Sequence, residues 1–186
     1  ERKHVRDMSL FEEVKKRNLM LNFGTLVGHS TLRRGIIKDE FRGLNSKEFS
    51  QMKHLLEASL NEGALGFSTG LNYSHAKVAL FEEITGFLSV LSPGKIYATH
   101  LRDEGSKLYE SVVEAIETAR KNKTNLEISH FKAVGKSSWP LFKKSLDEIH
   151  KAAETGMDIN FDVYPYTSTA TVLYTLLPDW IAVGGR

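Results

Sequence analysis

The chain has 186 residues, 41% hydrophobic and 26% charged, with a formal net charge of +2. Lys and Arg are scattered among Asp and Glu and form no basic stripe, which argues against nucleic acid and against a membrane surface as partners. Cysteine is absent, which excludes disulfides, thiolate catalysis and Cys-ligated zinc within these residues and leaves any metal to His, carboxylate or carbonyl ligands. No apolar run approaches the roughly 18 residues of a transmembrane helix, and the opening "ERKHVRDMSL" lacks the apolar core of a signal peptide. A cytoplasmic placement is the expectation.

Taken in chain order, the segment to Leu10 is polar and shows no clear element. Short apolar runs then alternate with longer runs of helical period. The candidate strands are "LNFGTLV", "ALGFSTG", "KIYATH", "NLEISH" and "DINFDVYPY". Between them, Phe49, Met52, Leu55, Leu56, Ser59 and Leu60 share one helix face, and Phe81, Ile84, Leu88 and Leu91 share another. A third stripe is Leu108, Val112, Ala115, Ile116 and Ala119, and a fourth is Phe142, Leu146, Ile149 and Ala153. Ser46 and Ser106 are candidate N-caps of the first and third helices, and Gly63 and Gly156 candidate stops for the first and fourth. This alternation implies parallel βα units. Five strands leave two architectures open: a self-contained doubly wound sheet, or a piece of a barrel that needs eight strands in about 250 residues. No "GxGxxG" or "GxxxxGKS" phosphate signature supports the first.

Seven histidines occur, and no two are spaced to chelate a metal along one local element. His54 and His150 read as surface or packing residues of amphipathic helices. His4 lies in the polar end, and His75 starts a helix after "LNYS". His100 and His130 differ, because each ends a predicted strand and they lie one βα unit apart. In a parallel barrel such strand ends converge on one site, and two neutral imidazoles there make half of a zinc site. Other polar groups recur at the same ends: Tyr73, then Arg102, Asp103 and Glu104, then Lys132, then Asp162, Tyr164 and Tyr166. A lysine beside two phenols near a metal suits a carboxylate-bearing substrate. Trp139 and Trp180 read as core or loop packing.

Five stretches, "VGHSTLR", "GALGFSTGLNY", "YATHLRDE", "ISHFKAVGK" and "DVYPYTSTATVL", resemble in order and spacing the central part of N-acyl-D-amino-acid deacylases, or D-aminoacylases. These belong to the amidohydrolase superfamily of metal-dependent (β/α)8 hydrolases. The resemblance runs from about Ser9 to Arg186. It implies an α/β fold, a partial (β/α)8 TIM-type barrel of about five βα units with parallel strands, in which residues 1–186 are the central part of a catalytic barrel. It implies that His100 and His130 are zinc ligands and that Lys132, Tyr73 and Tyr164 bind the substrate. The partner so implied is a small N-acyl-D-amino acid, and the cofactor is zinc, one or two ions in the longer enzyme. His29 matches a family motif without an assigned role, and a structural role at a strand end is the expectation for it.

The family's early "HxH" pair, the cysteine of its tight zinc site and its late acid/base aspartate are all missing, and "SHA" follows Tyr73 where "PPA" is usual. The expectation is therefore that these residues are a piece of a longer enzyme and catalyse nothing alone. They would bind zinc weakly or not at all, their third ligand would come from outside, and self-association would follow through exposed strand edges. Two other readings stay open. One is a cyclic amidase of dihydroorotase or hydantoinase type, for which "LGFSTG" offers Ser68 and Thr69 where a carboxylated lysine belongs. The other is a non-catalytic half-barrel assembly module that binds no metal.

Overall fold

The computed structural model describes residues 7–177; His4 and Trp180 lie outside them. Five strands run parallel: β1 Leu26–Gly28, β2 Gly66–Gly70, β3 Ile96–His100, β4 Asn125–Ile128 and β5 Ile159–Phe161. Their order in the sheet is their order in the chain, β1-β2-β3-β4-β5. A doubly wound sheet reverses its strand order at a switch point. Here every crossover steps the same way, and right-handed crossovers then put all the helices on one face. The arrangement is that of a barrel wall.

Register explains which face is which. Val27, Phe67, Tyr97, Leu126 and Ile159 stand side by side across the sheet and all belong to the buried core. The adjacent row, Gly28, Ser68, Ala98, Glu127 and Asn160, is small or polar and faces the other way. Against the apolar face pack α3 Ser46–Asn61, α5 Phe81–Leu88, α6 Leu108–Asn122 and α7 Trp139–Glu154. They contribute Met52 and Leu56, Ile84, Phe87 and Leu88, Leu108, Val112, Ala115, Ile116 and Ala119, and Ile149 and Ala152. Each large apolar side chain so buried stabilises the fold by about 1.5–3 kcal/mol.

Several sequence expectations shift by a residue or more. The N-cap of α3 is Asn45, not Ser46: the Asn45 side-chain oxygen accepts from the Glu48 amide while Glu48 accepts from the Asn45 amide. This reciprocal box satisfies two otherwise orphaned donors. Ser106 caps nothing; Asp103 Oδ1 instead accepts from the amides of Gly105 and Lys107, leading the chain into α6. Gly63 and Gly156 do terminate their helices, both at positive φ. Leu55 is 44% exposed and Trp139 60% exposed, and in α7 the buried stripe passes through Ser145, Ile149 and Ala152 and leaves Ala153 outside. The N-terminal segment read as featureless holds a helix, α1 Asp7–Lys16, built from good helix formers. A further helix, α2 His29–Ile37, starts directly where β1 ends. Strand β1 is three residues long and among the described residues pairs with β2 only, and Leu21 and Phe23 fall outside it, exposed. Among the described residues, no helix is long and apolar enough to cross a membrane.

Candidate metal centre

His100 is the last residue of β3, opposite Gly70 of β2. It continues the row of Ile96 and Ala98, so it points to the face away from the helix layer. Gly70 is needed there: a Cβ on it would lie 2.8 Å from the Tyr73 ring, which packs on His100 with centroids 4.8 Å apart. Tyr73 is the N-cap of the short helix α4 Ser74–Lys77, so a helix does form at "SHA". Arg102 holds that segment in place. It donates to the carbonyls of Lys77 and Ala79 at 3.0 Å each and forms a two-pronged pair with Glu114 of α6.

His130 does not end β4. It sits two residues beyond Ile128, in a turn, at a φ of 42°. Its Nε2 is 2.9 Å from His100 Nδ1, and the two rings meet edge to face at 4.5 Å. Lys132 donates to His130 Nδ1 at 2.9 Å, to the His130 carbonyl at 2.9 Å and to Glu104 Oε1 at 2.6 Å. An ammonium only donates, so His130 Nδ1 accepts. A neutral His130 then donates Nε2–H to His100 Nδ1, which leaves His100 with its proton on Nε2. That nitrogen is buried with no hydrogen-bond partner, 3.8 Å from Glu104 Oε1. Burial, then the nearby His130 and Lys132 charges, lower the His100 pKa to about 4. The ring is thus neutral near pH 7, the form that ligates metals.

All five residues proposed from the sequence therefore join one chain of contacts: Tyr73 on His100, His100 on His130, His130 on Lys132, and Lys132 over the Tyr164 ring at 5.6 Å. The Tyr164 hydroxyl is buried and has no hydrogen-bond partner, while Tyr166 is exposed. Sequence reasoning did not assign Glu104. Its carboxylate is 9% exposed and lies 3.2 Å from His130 Nδ1, and ligand atoms of His100, Glu104 and His130 fall within 4.8 Å of one another. The segment from Leu101 to Glu104 is not helical, so a four-residue spacing from His100 carried no facing information. His29 is elsewhere. It is fully buried in the helix layer against Phe67 and Phe87, hydrogen-bonded to Glu83 beside Arg33.

This geometry can be compared with known proteins. No family model matches the chain. It is 32% identical over 177 residues to an N-acyl-D-glutamate deacylase of Alcaligenes xylosoxydans xylosoxydans, covering 94% of this chain and 36% of that protein. A D-aminoacylase of the same organism is 36% identical over 167 residues, covering 89% of this chain and 34% of that one. Over most of its length the chain is similar in sequence and fold to members of the D-aminoacylase family. Among solved D-aminoacylase-family structures, the N-acyl-D-glutamate deacylase of Bordetella bronchiseptica superposes with a TM-score of 0.81 at 30% identity, covering 86% of this chain and 34% of that one. That crystal contains zinc and a phosphonate inhibitor that mimics the tetrahedral intermediate of the reaction. The chain spans about a third of the length of the curated D-aminoacylase relatives it matches.

Proposed function

We propose that the protein to which these residues belong hydrolyses the amide bond of N-acyl-D-amino acids at a zinc site built in part by His100 and His130. The observation that carries this is the convergence of His100, Glu104 and His130 at the C-terminal ends of adjacent parallel strands, where barrel enzymes place their chemistry. The residues fit a metal. His100 presents a buried, unpartnered Nε2 on a ring held neutral, which would give up its proton to a metal, and a carboxylate and a second imidazole lie beside it. Zinc in the Bordetella relative supports the choice of ion. A zinc ion bound there supplies Lewis-acid activation of water and of the scissile carbonyl.

The other side chains would bind and orient. Lys132 now spends its ammonium on lone pairs of Glu104 and His130. It would leave those to the metal and turn to the substrate carboxylate, over the Tyr164 ring. Tyr73, packed on His100, would line the substrate site beside the metal. Glu104 supplies within these residues a ligand oxygen that the sequence reading sought outside. The acid/base that moves the proton is contributed from beyond residues 1–186 on this reading, so these residues alone turn over no substrate.

Zinc content and amine release from N-acyl-D-amino acids test the proposal. The full-length protein should hold zinc and be active, and His100→Ala and His130→Ala should lose both. Lys132→Met should keep zinc and raise KM about tenfold or more, from the loss of a charge-assisted hydrogen bond. Zinc retained at wild-type affinity in both histidine variants, or turnover by residues 1–186 alone, would refute it.

A further inference from the structure

Strand parity sends His130 to the wrong face. In β4, Leu126 and Ile128 point into the helix layer, and Glu127 points away from it. Successive side chains alternate, so a strand continued through Ser129 would drive His130 into the core beside Ile128. It lies instead against His100, whose side chain belongs to the opposite face. The backbone accounts for this. His130 has a φ of 42°, the left-handed region that residues with a Cβ avoid, and this turn re-aims the imidazole.

A conformation of that kind persists only where its surroundings over-determine it. Here they do so chiefly through Asp162, the residue after β5. Its Oδ1 accepts from the His130 amide at 2.8 Å. Its carbonyl accepts from the Phe131 amide at 2.8 Å, and its own amide donates to the Ile128 carbonyl at 3.1 Å. The backbone bonds merely prolong the parallel ladder, whereas the side-chain bond seizes the one amide that the turn takes out of the ladder. We propose that Asp162 is the positioning residue for His130: its carboxylate oxygen holds the left-handed turn that brings the imidazole to His100. The inference rests on reading His100 and His130 as a metal pair, and it assigns Asp162 no contact with metal or substrate.

Three substitutions in the full-length protein separate acceptor geometry from charge. Asp162→Asn keeps an acceptor oxygen at the same reach and loses the charge. Asp162→Glu keeps the charge and misplaces the acceptor, and Asp162→Ala removes both. The probe is cobalt(II), with affinity measured by competition with a chromophoric chelator and with visible absorption reporting the ligand set. Partners that orient a metal ligand typically contribute 10–100-fold in affinity. The expected result is a loss of about tenfold or more in Asp162→Ala and Asp162→Glu, with an altered spectrum, and near wild-type behaviour in Asp162→Asn. Equal losses in Asn and Ala, or wild-type affinity in Ala and Glu, would overturn the proposal. Hydrogen exchange of the His130 amide in the metal-free protein reads the turn directly. It should be faster in Asp162→Ala than in Asp162→Asn, and unchanged exchange in Asp162→Ala would sink the idea. If the wild type binds no cobalt, the metal reading fails on that measurement, and the exchange still decides whether Asp162 holds the turn.

Discussion

His29 and His100 each have one buried ring nitrogen without a partner, yet only His100 lies beside both a carboxylate and a second imidazole. His29 donates from Nε2 to Glu83, and that same carboxylate also takes the Arg33 guanidinium. A metal has no free carboxylate to find there, and a cation already fills the place. The chemistry of His29 lies in stability instead. Burial holds its pKa below the usual 6.5, partly opposed by the Glu83 hydrogen bond. As pH falls through about 6.5, the unfolded chain takes up the proton first, so stability should fall. Burial also pushes the Glu83 carboxyl up, but hydrogen bonds from His29 and Arg33 more than reverse it, leaving its pKa below 4.5. The stability it contributes is present above that value and is lost as pH drops below it. The urea midpoint should therefore decrease steadily on acidification from neutral pH, and His29→Gln should flatten the upper part of that slope. A midpoint in the wild type that does not move between about pH 7 and pH 5 would contradict this. The sequence placed His29 at a strand end; it is the first residue of α2, directly after β1, and it enters the helix layer where α5 carries Glu83.

At the scale of elements, what aligns the site is the seam between strand ends and the loops that follow them. Arg102, two residues past β3, grips the end of α4 and the start of the α5 approach through two carbonyls, and α6 through Glu114. That fork spans groups an ammonium cannot reach together. Arg102→Lys should cost about 2 kcal/mol, because it strands part-buried carbonyls. In the full-length protein it should also couple to Tyr73→Phe in a double-mutant cycle, since Tyr73 caps the clamped segment. Denaturant unfolding measures the first effect and KM the second; additive KM effects would show that the clamp does not act through Tyr73. Helix existence was legible from periodicity for α3, α5, α6 and α7, because an apolar stripe is a local property. Caps were less so. Ser46 was the cap read from the sequence; the residue before it, Asn45, is an equally good N-cap type, and the reach of Glu48 back to the Asn45 amide makes it the cap. Helices α1 and α2 were missed because neither carries a long apolar stripe.

For the whole molecule, the sheet presents two strands, β1 and β5, that each have one neighbour among the described residues. Leu19, Met20 and Leu21 near one edge, and Val163, Tyr166, Val172, Leu173 and Leu176 beyond the other, are exposed. Unpaired edges beside exposed apolar side chains template association. Residues 1–186 produced alone should sediment as species heavier than the 20.9 kDa monomer and shift toward monomer on dilution. A monodisperse monomer at micromolar concentration would count against that expectation. By itself the sequence determined the alternation of strand and helix, the apolar stripes, and the nearness of His100 and His130 to the ends of adjacent strands, because periodicity and turn residues act over a few positions of chain. Tertiary structure alone decided that the strands run in sequential order, that Glu104 closes on both imidazoles, that Asp162 re-aims His130, and that His29 turns away into the core. Those outcomes depend on register and on loops brought together from residues far apart in the chain, and no local pattern encodes a distance between them.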